Sequence, residues 1–133
     1  MPQLQPLVLT DRADTPVDHT FTPLDIQGGV GTVVESTGTP IGDNRVTVSL
    51  GKTNAGRYKA VVKFVLPIVQ EGIDASGITR PVVVRTSYVE ITASFDQSST
   101  EQERDDAIGM VESALAADST LINDVLVKLQ GVY

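Results

Sequence analysis

Seven of the chain's ten basic residues fall between positions 45 and 85: Arg45, Lys52, Arg57, Lys59, Lys63, Arg80 and Arg85. Two acids, Glu71 and Asp74, share that span, and the other fifteen of the chain's 17 lie outside it. The net charge is −7, so the chain as a whole repels polyanions while its middle is locally positive. Guanidinium and ammonium groups crowded in this way can neutralise phosphates. They can equally be the solvated residues of exposed strands, and charge alone leaves both readings open. One aromatic, Tyr88, stands just past the cluster in the β-rich run 82–95. On an open sheet face a tyrosine can stack on an unpaired base. On a covered face it is a half-buried strand aromatic.

Other chemistry has less support. The chain has no cysteine, which excludes disulfides, thiolate metal sites and a cysteine nucleophile. The single histidine, His19, follows Asp18 in a short strand-like run and reads as a surface residue. Asp105 and Asp106 are adjacent at a helix start and point apart, so they form a solvated cap rather than a carboxylate pair. Gly28-Gly29-Val30-Gly31 lacks the Lys-Ser/Thr ending and the following helix of a phosphate loop. We therefore expect no enzyme, no metal and no cofactor. No run approaches the ~18–20 apolar residues of a membrane helix, and the N-terminus shows no signal-peptide pattern.

These groups must be positioned by strands. With 133 residues and a 41% apolar share, the chain has the size of a single domain, 1–133, with a small core. Residues 7–10 and 19–24 flank a turn-rich segment and read as an N-terminal hairpin, within 1–27. A sheet is expected over 30–95. Within it Val46, Val48 and Leu50 alternate with Arg45, Thr47 and Ser49. Tyr58, Ala60, Val62 and Phe64 likewise alternate with Arg57, Lys59, Val61 and Lys63. Leu66-Pro67 ends that strand by pattern, and 68–80 reads as a loop with two glycines. The last strand sets Val84, Thr86, Tyr88, Glu90 and Thr92 on one face.

Two helices follow, within 99–130. The first is expected over about 100–117, capped by Ser99 or Thr100, with an apolar stripe of Ala107, Ile108, Val111, Ala114 and Leu115. The second carries Leu121, Ile122, Val125, Leu126 and Leu129 at helical spacing. At ~1.5 Å per residue the first is roughly 26 Å long, close to the width of five strands ~4.8 Å apart. Such a pair can cover one face of the sheet and leave the other open.

The segments Asn44-Arg45-Val46-Thr47-Val48-Ser49-Leu50 and Arg57-Tyr58-Lys59-Ala60-Val61-Val62-Lys63 resemble the central hairpin of the coat proteins of single-stranded RNA bacteriophages, the leviviruses. The run from Arg85 to Phe95 is similar to their last strand. Ser98-Ser99-Thr100-Glu101-Gln102-Glu103-Arg104 is similar to their first helix start. The ending Leu129-Gln130-Gly131-Val132-Tyr133 is similar to their C-terminus, most of all in the Qβ-like branch. The resemblance covers about 30–133, and the N-terminal hairpin by pattern only.

It implies an α+β fold: an N-terminal β-hairpin, a five-stranded antiparallel sheet and two C-terminal helices, in an interlocked homodimer. It also implies an icosahedral shell built from dimers, with the sheet facing an enclosed RNA genome. Such a protein would be found in the virion and assembled in the bacterial host cytoplasm. Residues 66–80 would match the loop around the shell's symmetry axes, here without the cysteines of the Qβ-like branch. Carried over by position, Tyr88 is the stacking candidate, and Thr47 and Ser49 line an adenine pocket. Arg57, Lys59 and Lys63 are phosphate candidates. Arg45, Val61, Thr86 and Glu90 complete the RNA-binding face, where Glu90 opposes an anion and could tune selectivity. The expected partners are a second copy of the chain, a single-stranded RNA genome and an RNA hairpin, bound as a translational operator; no membrane is expected. The alternatives are a small dimeric RNA-binding regulator that does not assemble, and an enzyme with a carboxylate site on the sheet.

Overall fold

The computed structural model describes residues 2–38 and 40–133. It resolves into two compact units, one ending at Ser94 and the other beginning at Phe95. Six strands follow one another: β1 (Leu7–Thr10), β2 (Asp18–Gln27), β3 (Val30–Glu35), β4 (Asn44–Lys52), β5 (Arg57–Ile73) and β6 (Thr79–Asp96). They lie side by side in chain order, as a meander. The pairings from β1 to β5 are all antiparallel.

The expected hairpin and five-stranded sheet appear as one six-stranded order because β2 serves both. Its first half pairs with β1 as far as Phe21, and its second half pairs with β3 from Thr22 onwards. The register slips between Pro23 and Asp25. Proline has no N–H to give a ladder, so a bulge is where a strand tolerates it.

The stretch 68–80, expected as a loop, is a hairpin tip. β5 runs on to Ile73, and β6 starts at Thr79. The turn is made by Asp74. Its Oδ1 accepts from the N–H groups of Ser76 (2.9 Å) and Ile78 (3.0 Å). Its carbonyl accepts from Gly77 N–H at 3.0 Å, and Gly77 takes the left-handed φ of 77° that glycine permits. Arg80 closes the turn on Asp74 at 3.0 Å. Pro67 is tolerated because the β4–β5 ladder stops at Arg45 and Val65, just before it. Beyond that point a single 3-10 turn, Pro40–Gly42, approaches β5 closely. A Cβ on Gly42 would lie 2.6 Å from Val69 Cγ2.

The core lies at one end of the sheet's apolar face. Val33 pairs with Val46, and Val46 with Phe64, while Phe21 pairs with Leu7 across the first hairpin. Phe21, Val33 and Val46 are the buried apolar residues among those described, with Leu4, Leu7, Val62 and Phe64 packed against them. Leu4 lies over Gly31, where any Cβ would meet it at 3.0 Å.

The second unit holds α1 (Glu101–Ala114) and α2 (Thr120–Leu126). Thr100, one of the two expected caps, starts α1 with a reciprocal capping box. Its hydroxyl accepts from Glu103 N–H, and the Glu103 carboxylate accepts from Thr100 N–H, both at 3.2 Å. Both helices stop earlier than their apolar spacing suggests. α2 stops at Leu126; three residues on, Leu129 is left-handed (φ 57°), and Gln130 N–H reaches back to the Asp124 carbonyl at 3.0 Å. The left-handed residue turns the chain out of line with the helix before Gln130. No residue of either helix is buried.

Candidate nucleic-acid interface

Register shows which side chains share the face opposite Val33 and Val46. Thr47 stands across from Lys63, Ser49 from Val61, Gly51 from Lys59 and Arg45 from Val65. Side chains directly opposite in an antiparallel pair lie about 4.5–5.5 Å apart at Cβ. Thr47, Ser49, Val61 and Lys63 therefore form one compact patch. Thr47, Ser49 and Val61 are half-buried in the pleat, while Lys59 and Lys63 are exposed.

Arg57 ties β6 to this face. Its Nε donates to Ser94 Oγ at 2.9 Å and its Nη2 to the Ser94 carbonyl at 3.0 Å. Those bonds put the side chains of Arg57 and Ser94 on one side. Period-two alternation then carries Ser94 to Thr92, Glu90, Tyr88 and Thr86, and Arg57 to Lys59, Val61 and Lys63. Tyr88 is 69% exposed, so it is not the half-buried strand aromatic. Thr86 is half-buried, and the exposed Glu90 accepts from Thr92 Oγ1 at 3.2 Å. The ten expected residues thus fall on one face. Arg57 differs from the lysines there, because two of its N–H groups already serve Ser94.

Register adds residues that sequence reading missed. Val30 stands across from Ser49, and Thr32 from Thr47. Beyond them Gln27 pairs with Val30 and Asp25 with Thr32, and Gln27 Nε2 donates to Asp25 Oδ2 at 2.9 Å. Val30 and Val61 flank Ser49 from the two neighbouring strands, so apolar side chains stand on either side of it. Thr32 shares this face with Val30 and Val34 by period-two spacing, a signal that was readable. Asp25 was not, because the bulge at Pro23 resets which β2 side chains point this way. His19, expected as an isolated surface residue, is half-buried between Asp11 and Glu35.

The fold and this face define an α+β protein with one apolar and one polar, locally basic sheet surface. That fold recurs in solved structures across nearly the whole chain. A virus-like particle of bacteriophage ESE058 matches with a TM-score of 0.88 at 24% identity, covering 99% of this chain and 100% of that one. An unassembled virus coat protein dimer, described as a bacteriophage RNA-binding dimer, matches with a TM-score of 0.64 at 19% identity, covering 98% of each. At the level of sequence, the capsid protein of Pseudomonas phage PRR1 is 56% identical over 131 residues, 98% of this chain and 99% of that protein. The family model described as levivirus coat protein matches residues 2–133. The chain belongs to the levivirus coat protein family and is a capsid protein.

Proposed function

We propose that this capsid protein assembles as dimers into a shell and holds single-stranded RNA against the sheet face of β3 to β6. The observation that supports RNA binding is the register. It sets the Ser49 hydroxyl between apolar Val30 and Val61, and beside it the Thr47 hydroxyl between Thr32 and Lys63. A base is flat, apolar on its faces and polar at its edge, and it needs that combination of walls and hydrogen-bonding groups. Tyr88 offers a ring for a second unpaired base, and Lys59 and Lys63 meet phosphates. Arg57 acts chiefly by holding β5 to β6. Glu90 has no donor to offer: its carboxylate accepts from amino edges and repels nearby phosphates.

The dimer reading rests on surfaces the chain leaves uncovered. β6 ends the strand order with β5 on one side, so its other edge can pair with β6 of a second copy. Val48, Leu50 and Tyr58 are exposed on the apolar face, as are Ile108, Leu121 and Leu126 on the helices. Helices interlocked across a dimer would cover both sets. Packaging of a genome, repression through a hairpin, and assembly in the host cytoplasm follow from this reading.

The test is filter binding of the dimer to a selected tight-binding RNA hairpin and to a scrambled RNA of equal length. Tyr88→Ala should weaken the selected hairpin by ~1–3 kcal/mol and the scrambled RNA far less. Equal losses for both would remove Tyr88 from base recognition and leave an electrostatic face.

A further inference from the structure

The N-terminal hairpin is fastened to the sheet by a cluster that RNA binding does not use. His19, on β2, lies between two carboxylates from different elements. Its Nε2 is 2.7 Å from Asp11 Oδ2 in the β1–β2 turn. Its Nδ1 is 2.8 Å and 3.0 Å from the two oxygens of Glu35, at the end of β3. Asn44, at the start of β4, donates to Glu35 Oε1 at 2.8 Å. The other Asp11 oxygen accepts from the N–H groups of Ala13 (3.1 Å) and Val17 (3.0 Å), which shapes the turn itself.

A neutral imidazole donates from one nitrogen only. Two carboxylates on opposite nitrogens are both satisfied only by imidazolium. On loss of a proton, one carboxylate would face a lone pair. We propose that His19 is a pH-operated latch on the N-terminal hairpin, closed while the imidazole is protonated and released when it is not. The hairpin carries Leu7 and Phe21, which cap Val33 and Val46, so release would loosen the part of the core this chain builds by itself.

The surroundings favour the charged form. The hydrogen bonds to Asp11 and then Glu35 raise the His19 pKa above its ordinary 6.5. Asp11 is held down at about 2 by His19 and by the Val17 and Ala13 N–H groups. From β2 itself the adjacent Asp18 is engaged by Thr10 Oγ1 of β1 at 2.6 Å. Arg12 and Asp14 share the turn with Asp11, β3 supplies Glu35, and β4 supplies uncharged Asn44, with Arg45 on the other face. A raised histidine contributes in full below 6.5 and loses its contribution as pH rises through the raised value. Asp11 contributes above 3.8 and loses its contribution as pH falls towards about 2. The latch is therefore tightest in mildly acidic solution and opens on the alkaline side.

Hydrogen–deuterium exchange of the full-length protein in its native assembly tests this. Peptides spanning 7–27 are compared with peptides spanning 44–65 from pH 5.5 to 9, with labelling times scaled for intrinsic exchange. The hairpin peptides should lose protection relative to β4–β5 as pH rises, by about tenfold for each unit separating the docked and released titration points. His19→Gln should make the ratio independent of pH. A wild-type ratio that is flat with pH, or a rise that persists in His19→Gln, would overturn the latch. Should His19→Gln fail to fold, Glu35→Gln must move the rise to lower pH, and an unmoved midpoint overturns it equally.

Discussion

Along β4 one face of the sheet passes from closed to open within five residues. Val46 is 1% exposed, Val48 42% and Leu50 66%. All three alternate onto the same side, and all three are apolar. The difference is what lies over them. Val46 sits under the N-terminal hairpin, with Phe21, Leu4 and Leu7 nearby. Among the described residues of its own unit none seals Leu50. Sequence pattern determines which side of a strand is apolar, whereas burial depends on whether the same chain supplies the cover. A capsid chain can leave half of its core for another copy to complete, and obligate partners are stable only together.

The closed end should be the most sensitive. Val46→Asp buries a charge with no partner, a cost of several kcal/mol, and we expect no folded protein by circular dichroism at any concentration. The open end gives the sharper contrast. Leu50→Asp should also abolish the soluble dimer despite its 66% exposure in the single chain, and so should Leu126→Asp and Ile122→Asp. Leu50→Ala should cost about 2 kcal/mol or more rather than the ±0.5 kcal/mol of a true surface position. Chemical denaturation at two protein concentrations reads both. A dimer indifferent to all of these changes would make the open end an ordinary surface.

The polar face should respond more weakly and in binding alone. Lys63→Ala should weaken all RNAs alike and lower the slope of log affinity against log salt by about one unit. Arg57→Ala should change that slope less, because its guanidinium is engaged with Ser94. An equal change in slope for both would return Arg57 to the phosphate contacts.

The alternating strands β4 and β5 were legible because period two is local and needs no partner to be seen. The same periodicity placed Thr47, Ser49, Lys59, Val61 and Lys63 on one face, and register then brought them together. The hairpin tip was not legible. Gly72 and Pro67 interrupt the pattern, and strand pairing there is set by the Asp74–Gly77 turn rather than by alternation. Val30 and Asp25 join the face only through pairing, and for Asp25 through a bulge. His19 could not be read correctly because its partners lie eight and sixteen positions away in sequence, and only the folded hairpin brings them to it. The second helix was overextended because apolar spacing continues through Leu129, whereas the helix stops at Leu126 and the backbone turns left-handed at Leu129.

The central claim is that the open apolar end belongs to a second copy and the polar face to RNA. Sedimentation velocity of the protein expressed alone, recorded at 260 and 280 nm, tests both halves together. The chain has no tryptophan and 3 tyrosines, so bound RNA dominates the absorbance. We expect fast-sedimenting particles with a 260 nm excess, and dimers on dissociation. A well-folded monomer at micromolar concentration, free of nucleic acid, would contradict it.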